Sequence, residues 1–385
     1  MTTNDIKEKL IKWRRHFHQH PEVSYKEFET SNYIYNTLKS FGSIEVSRPT
    51  ETSVVGVLKG RNDGDGKTIL LRADIDALPM QEMTDLDFKS VNDGVMHSCG
   101  HDAHPAMLLG AAEILSGEDF SGEIRFVFQH AEEEYPGGAH ELVDAGITDG
   151  VDYAYALHVS PDYPTGTFSI KEGPWCAAAD EFYITIHGSG AHAAQPFNAI
   201  DPIIVGAEFT TAVQSIVSRK ISPNHTPVVS VTNFHAGEVV NAIPGRVDIS
   251  GTIRSLDETS RVTARNELER ILKGVTLAHN AAYDIKWDIG YPGVVNDKDA
   301  TEISRKVFEK IVGADHIIEG EYPSYGTEDF ASFSSVVPGS MQQIGVYSEA
   351  LDNKHPLHNP EFTIDEDALL LGTEYFVETA RALVK

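Results

Sequence analysis

The stretch MHSCGHDAH, residues 96–104, places His97, Cys99, His101 and His104 within nine residues, and Cys99 is one of only two cysteines in the chain. Cys99 and His101 flank a glycine, so their side chains can converge from a tight turn, and Pro105 suits the first turn of a following helix. A thiolate and an imidazole are both good ligands for zinc and its borderline-soft neighbours, whereas magnesium and calcium prefer oxygen throughout. A buried ordinary cysteine among surface histidines is the plainer alternative for this stretch alone. Its companions weigh against that. FVFQHAEEE sets Glu132, Glu133 and Glu134 directly after an apolar run, and YALHVS sets His158 at the end of another. Acidic runs are usually solvated, but this one follows a candidate buried strand and precedes the turn YPGGA. In extended backbone adjacent side chains point to opposite faces, so one glutamate can hold a cation while its neighbour faces a reacting water. Metal-assisted hydrolysis requires that division: a Lewis acid that lowers the pKa of water, and a carboxylate that takes the proton and returns it to the leaving amine. Asp74 and Asp76, in LRADID, are placed either to bond the far nitrogen of a ligand histidine and fix its tautomer or to serve the strand end structurally.

These residues need elements to hold them. Ile6, Leu10, Trp13 and Phe17 recur at spacings of one helical stripe that Pro21 stops, and residues 26–38 form a second helical candidate. His16, His18 and His20 fall near the first helix's end, where dipole interactions explain them. The runs 53–60, 68–76, 123–130 and 152–159 are rich in β-branched residues and predict strands. They alternate with helical stretches at 101–116 and 138–145, which predicts an α/β catalytic domain with a central sheet covered by helices. From residue 180 the order becomes strand, helix (200–219), strand, strand, helix (257–273), strand, the split βαβ pattern of a smaller α+β, ferredoxin-like domain. From residue 293 the first texture returns, with a helix at 299–312, a strand at 341–347 and a last helix at 366–383. The expected organisation is a catalytic domain, 1–179 and 293–385, interrupted by an inserted domain, 180–292.

At 385 residues the chain can bury two cores, and its formal charge of −27 repels phosphate backbones and anionic membrane surfaces. Nucleic acid and membrane are therefore not expected partners. Two cysteines make no disulfide framework, and MTTNDIKEKLIKWRR lacks the apolar stretch of a secretory signal, so the expected location is cytoplasmic.

The ordered motifs RRHFHQHPE, LRADIDALP, MHSCGHDAH, FQHAEE, ALHV, GAHAAQP, NAIPGRVDISGTIRS, GTEDF and LHNPEF, from residue 14 to residue 362, resemble the family 20 metallopeptidases. Within that family the chain is most similar to the aminoacylase-like amidohydrolases, which include hippurate hydrolase, indole-acetyl-amino-acid hydrolases and N-acetyldiaminopimelate deacetylase. The resemblance implies two divalent ions per chain, manganese or zinc with nickel or cobalt as further options. It implies Cys99, His101, Glu133, His158 and His358 as their ligands and Glu132 as general base. Alignment on PGGA instead of FQHA moves the last pair of glutamate roles to Glu133 and Glu134. His355 is implied to be a surface or outer group, and His104 to lie near the site without binding metal. The inserted domain is implied to act as a lid and to make a homodimer, with His192 reaching the neighbouring subunit's site to polarise the scissile carbonyl and Asn241 and Arg254 contacting substrate. Phe197 stands where many relatives carry a second histidine. The implied reaction is hydrolysis of an N-acyl amino acid to a carboxylic acid and a free amino acid. The alternatives are a dipeptidase or carboxypeptidase of the same chemistry, and a catalytically idle dimer that binds a metabolite.

Overall fold

The computed structural model describes residues 3–384 apart from residue 63. The chain divides into two compact units, one of Met1–Trp175, Val294–Tyr322 and Asp329–Lys385, the other of Cys176–Gly293 and Pro323–Glu328.

In the first unit the apolar stripe Ile6, Leu10, Trp13 and Phe17 is buried along a helix, Thr3–Gln19. The run TILLRAD becomes the strand Thr68–Asp74, with every residue after the first buried. A strand that is apolar on both faces belongs in the interior of a sheet covered on both sides. From edge to edge the eight strands are Glu45–Ser47, Val54–Lys59, Glu123–Gln129, Thr68–Asp74, Tyr153–Pro164, Gly339–Tyr347, Phe168–Ile170 and Ile317–Glu319. The sheet is mixed: Thr68–Asp74 is parallel to both neighbours, Tyr153–Pro164 is parallel to Gly339–Tyr347, and the pair at the Glu45 edge is antiparallel. The helix Ala103–Ser116 is apolar all round, and a helix of that kind must be enclosed; every residue from Ala103 to Ala112 is buried. Gly110 lets the first helix approach it, since a Cβ there would lie 2.5 Å from Leu10 Cδ2.

In the second unit four antiparallel strands run in the order Val228–Ala236, Arg246–Ser255, Ala178–His187, Ala282–Ile289, the arrangement of a split βαβ module. Alternate residues Phe182, Ile184 and Ile186 meet Val247, Ile249 and Ile253, and this face is closed by Phe209, Leu268 and Leu272 from the helices.

Two local expectations are corrected. The helix expected over 200–219 is two helices, Pro202–Ala212 and Ser215–Arg219. The break follows Thr210 and Thr211, whose hydroxyls bond carbonyls four residues back, a competition that loosens helices. His158 is not at a strand end, because its strand continues to Pro164 while Val159 and Ser160 stay paired with Ile344 and Gly345. No described helix is long and apolar enough to cross a membrane.

Candidate metal centre

The first unit brings donor atoms together from four separate segments. Cys99 Sγ lies with ring nitrogens of His101 and His158 in one group, and with a Glu133 oxygen and a His358 nitrogen in a second, all donors within a group being within 4.8 Å of one another. A third group of the same tightness joins His101, Glu132 and Glu133. Among the described residues, neither Glu134 nor His355 belongs to such a group, and Glu134 is exposed while Glu132 is buried.

Local backbone geometry produces this convergence. Gly100 has φ +87°, and a Cβ on it would sit 2.2 Å from Val159 Cγ2, so only glycine can separate Cys99 from His101. His358 is itself left-handed, φ 61°, and its N–H donates to Ser98 O at 2.8 Å, which ties the C-terminal loop to the cysteine loop. The strand ahead of the glutamates ends at Gln129, and Ala131 follows in a left-handed conformation, φ 48°. The alternation expected for adjacent strand side chains is thereby lost, and Glu132 and Glu133 reach the same centre.

Outer hydrogen bonds orient the donors. His101 Nδ1 faces Asp76 through its backbone O at 3.1 Å and Oδ1 at 3.2 Å, which leaves Nε2 for a ligand role. His158 Nδ1–H donates to Val159 O at 2.7 Å, and its Nε2 lies 3.6 Å from Cys99 Sγ. Asp76 Oδ2 also accepts the Glu133 N–H at 3.0 Å. Asp74 serves a different partner: it bonds His104 Nδ1 at 2.5 Å and Arg72 at 2.5 Å, with His101 Nε2 at 3.7 Å. Since His104 Nε2 accepts the Val159 N–H at 3.1 Å, both its nitrogens are used within the protein.

Whether a cation fits is decided by what these groups lack. His101 Nε2 is buried and makes no hydrogen bond, a costly state for a polar atom unless something pairs with it, and the buried Glu133 Oε1 faces His358 Nε2 at 3.3 Å. The mixed sulfur, nitrogen and oxygen donors suit zinc-like ions. Burial brings His158 down to about 3, with His104 adding to the effect, so its imidazole is neutral near pH 7. Burial and the Glu133 carboxylate push the Cys99 thiol up. Burial opposes a charge on His101, but Asp74 and Cys99 outweigh it and hold that pKa well above the ordinary value. A cation must displace these last two protons. Titrating metal-free protein with Zn2+ should therefore release protons, and the affinity should tighten from about pH 6 to about pH 8. Calorimetry in buffers of different ionisation enthalpy reads both, and an affinity flat across that range would exclude Cys99 and His101 as ligands.

His192, Asn241 and Arg254 lie in the second unit. His192 and Ala242 pair in a short two-stranded ribbon, and Ala193 N–H donates to Asn241 O at 3.0 Å, so His192 and Asn241 are neighbours. Ala194 N–H donates to His192 Nδ1 at 3.1 Å, which places the ring proton on Nε2 and makes that atom a donor. Arg254 lies in the strand Arg246–Ser255 and bonds Thr252 Oγ1 and the Ile253 carbonyl. Phe197 is 81% exposed.

His18 is corrected. It lies in the last turn of the helix as expected, but the dipole does not suffice to explain it: it is 1% exposed, with Nδ1 2.8 Å from Asp102 Oδ2 and Nε2 3.1 Å from Glu82 Oε1. Burial opposes its charge, but hydrogen bonds to Asp102 and Glu82 prevail and raise its pKa. Arg14 Nε shares the Asp102 oxygen at 3.0 Å, so the first helix grips the residue next to His101. Arg14 and His18 are four apart beside the apolar stripe, and that spacing was the available signal.

The profile of peptidase family M20/M25/M40 matches residues 70–382. An N-acyl-L-amino acid amidohydrolase of Geobacillus stearothermophilus is 50% identical over 76% of this chain and 79% of its own. Thermostable carboxypeptidase 1 of Saccharolobus solfataricus is 40% identical over 96% of this chain and 93% of its own. A solved Bacillus subtilis structure, described as a dinuclear metal-binding peptidase of the M20 family, superposes with a TM-score of 0.85 at 34% identity, covering 99% of each chain. The mixed sheet, the inserted antiparallel module and the clustered donors define a metallohydrolase, and this chain belongs to peptidase family M20/M25/M40. It is a hydrolase acting on amide bonds, of the amidohydrolase and aminoacylase-like branch.

Proposed function

We propose that the chain hydrolyses the amide bond of N-acyl amino acids at a two-metal centre. Cys99, His101, Glu133, His158 and His358 would hold two divalent ions, zinc or manganese, with the thiolate favouring zinc. When bound, the ions supply Lewis acidity that makes water reactive at neutral pH. Glu132 takes the proton of the attacking water and delivers it to the departing amine. As the family resemblance implies, His192 of the partner subunit would donate through Nε2–H to the carbonyl oxygen as negative charge develops there. Arg254 offers a guanidinium to the substrate carboxylate, and Asn241 offers an amide beside His192. The inserted domain is proposed to form a homodimer. The observation that carries this reading is the group of Glu132, Glu133 and His101 donors within 4.8 Å, with His101 Nε2 buried and making no hydrogen bond.

A carboxypeptidase or dipeptidase is the second reading, favoured by the 40% identity to a protein of carboxypeptidase name. Initial rates on an N-acetyl amino acid, an aroyl amino acid and an unblocked dipeptide separate the two. The expected order puts the acylated amino acids first by at least about tenfold, on the order of one well-placed polar contact; a dipeptide hydrolysed faster than either would reverse the assignment.

A further inference from the structure

The glutamates of the metal centre are set by a residue outside it. Glu27, in the loop between the first two helices, is fully buried. Its Oε1 accepts two backbone N–H groups, from Tyr25 at 3.0 Å and from Ala131 at 2.8 Å, and its Oε2 accepts the Thr52 hydroxyl at 2.8 Å. Tyr25 and Ala131 are both left-handed, at φ 63° and 48°. Neither side chain carries the short polar group with which asparagine or aspartate supports that conformation, so the support comes from elsewhere, and one carboxylate oxygen reaches both. The same loop is fastened around the turn at other points. Tyr25 OH accepts the Gly137 N–H at 3.1 Å, Ala131 O accepts the Gly138 N–H at 3.0 Å, and Ser24 donates to the Asp76 oxygen that takes the Glu133 N–H.

We propose that Glu27 is a positioning residue for amide hydrolysis: by holding Ala131 left-handed it turns the chain so that Glu132 and Glu133 address one centre. This inference rests on the metal-site reading above. Glutamine in place of Glu27 can keep all three interactions, since its carbonyl oxygen accepts both N–H groups and its amide donates to Thr52. Burial and the Asp76 charge already push the Glu27 carboxyl up to about 7, so an uncharged side chain is compatible with the site.

The test uses the metal-loaded enzyme at saturating metal with its best N-acyl amino acid. Glu27→Ala is expected to lower kcat by roughly 10- to 100-fold with KM nearly unchanged, the size of effect seen when outer partners of a metal site are removed. Glu27→Gln should restore most of that loss, and Ala131→Gly added to Glu27→Ala should restore part of it, because glycine is left-handed without help. Glu27→Asp keeps the charge but withdraws the oxygen; it should resemble Glu27→Ala and replaces it if that variant does not fold. Wild-type kcat in Glu27→Ala or Glu27→Asp, equal impairment in Glu27→Gln, or no gain from Ala131→Gly would each overturn the proposal. Glu132→Gln, run beside them, separates the two failures: if it is inactive while Glu27→Ala is normal, only the role of Glu27 is lost, and if it stays active the metal-site reading itself fails.

Discussion

Glu132→Gln is expected to lower kcat by roughly 10²- to 10⁴-fold, the range that a positioned general base contributes, while metal stoichiometry and KM change little. The amide is isosteric but cannot take a proton from water, and Glu132 shares its tight group with His101 and Glu133. The neighbouring variants make the assignment sharp. Glu133→Gln should release metal, because Glu133 also belongs to the group with Cys99 and His358, whereas Glu134→Gln, at an exposed position outside every group, should leave both properties near wild type. If Glu133→Gln kept its metal and lost turnover while Glu132→Gln did neither, the roles would move one residue along, to Glu133 and Glu134. Elemental analysis with steady-state kinetics on the three proteins reads this directly.

The largest expected loss of stability comes from a residue beneath the site. Arg72 is buried, and it donates to Asp74 Oδ2 at 2.5 Å, Asp329 Oδ1 at 2.8 Å and Gln129 Oε1 at 2.8 Å. Asp329 in turn accepts from Gln129 Nε2 and from the Ala139 N–H at 3.0 Å. Arg72→Met fills most of the volume but takes from two buried carboxylates the guanidinium that balances their charge, and breaking a buried pair in this way costs about 3–5 kcal/mol. Burial opposes ionisation of Asp74, yet Arg72, His101 and His104 hold its pKa well below the ordinary value. A depressed carboxylate stabilises the fold above the unfolded-state pKa and ceases to do so as pH falls through the folded value. The difference between Arg72→Met and wild type should therefore be full at neutral pH and shrink under strong acid. Unfolding free energies from denaturant titration at neutral pH that differ by less than about 1 kcal/mol would contradict this, since a surface ion pair is worth no more.

The residues of the candidate site were more legible than the frame that aims them. Cys99, His101 and His158 stand out because thiols and imidazoles are scarce and their positions near apolar runs are local facts of the chain. His358 is different: composition and periodicity near it mark nothing, only the LHNPEF motif singles it out, and its place is set by a left-handed backbone and a bond to Ser98 O. Periodicity located the strand Glu123–Gln129 but not its sharp exit at Ala131, because no glycine or asparagine signals it and the support comes from Glu27, far away in sequence. The partners of His18 and Arg72 were opaque for a related reason. A charged or ionisable residue reads as surface until its partners are known, and Asp102, Glu82 and Asp329 become partners only in three dimensions.

The central place of Gly339–Tyr347 beside Tyr153–Pro164 has a bearing on biosynthesis. The inserted sheet is assembled from one continuous stretch, Ala178–Ile289, so a growing polypeptide can finish it on the ribosome. The large sheet cannot be closed then, because the strand that carries His158 keeps one raw flank until Gly339–Tyr347 has emerged. Such flanks invite pairing with other chains, so the interval between making the inserted module and adding Gly339–Tyr347 is when this sheet is most exposed to aggregation.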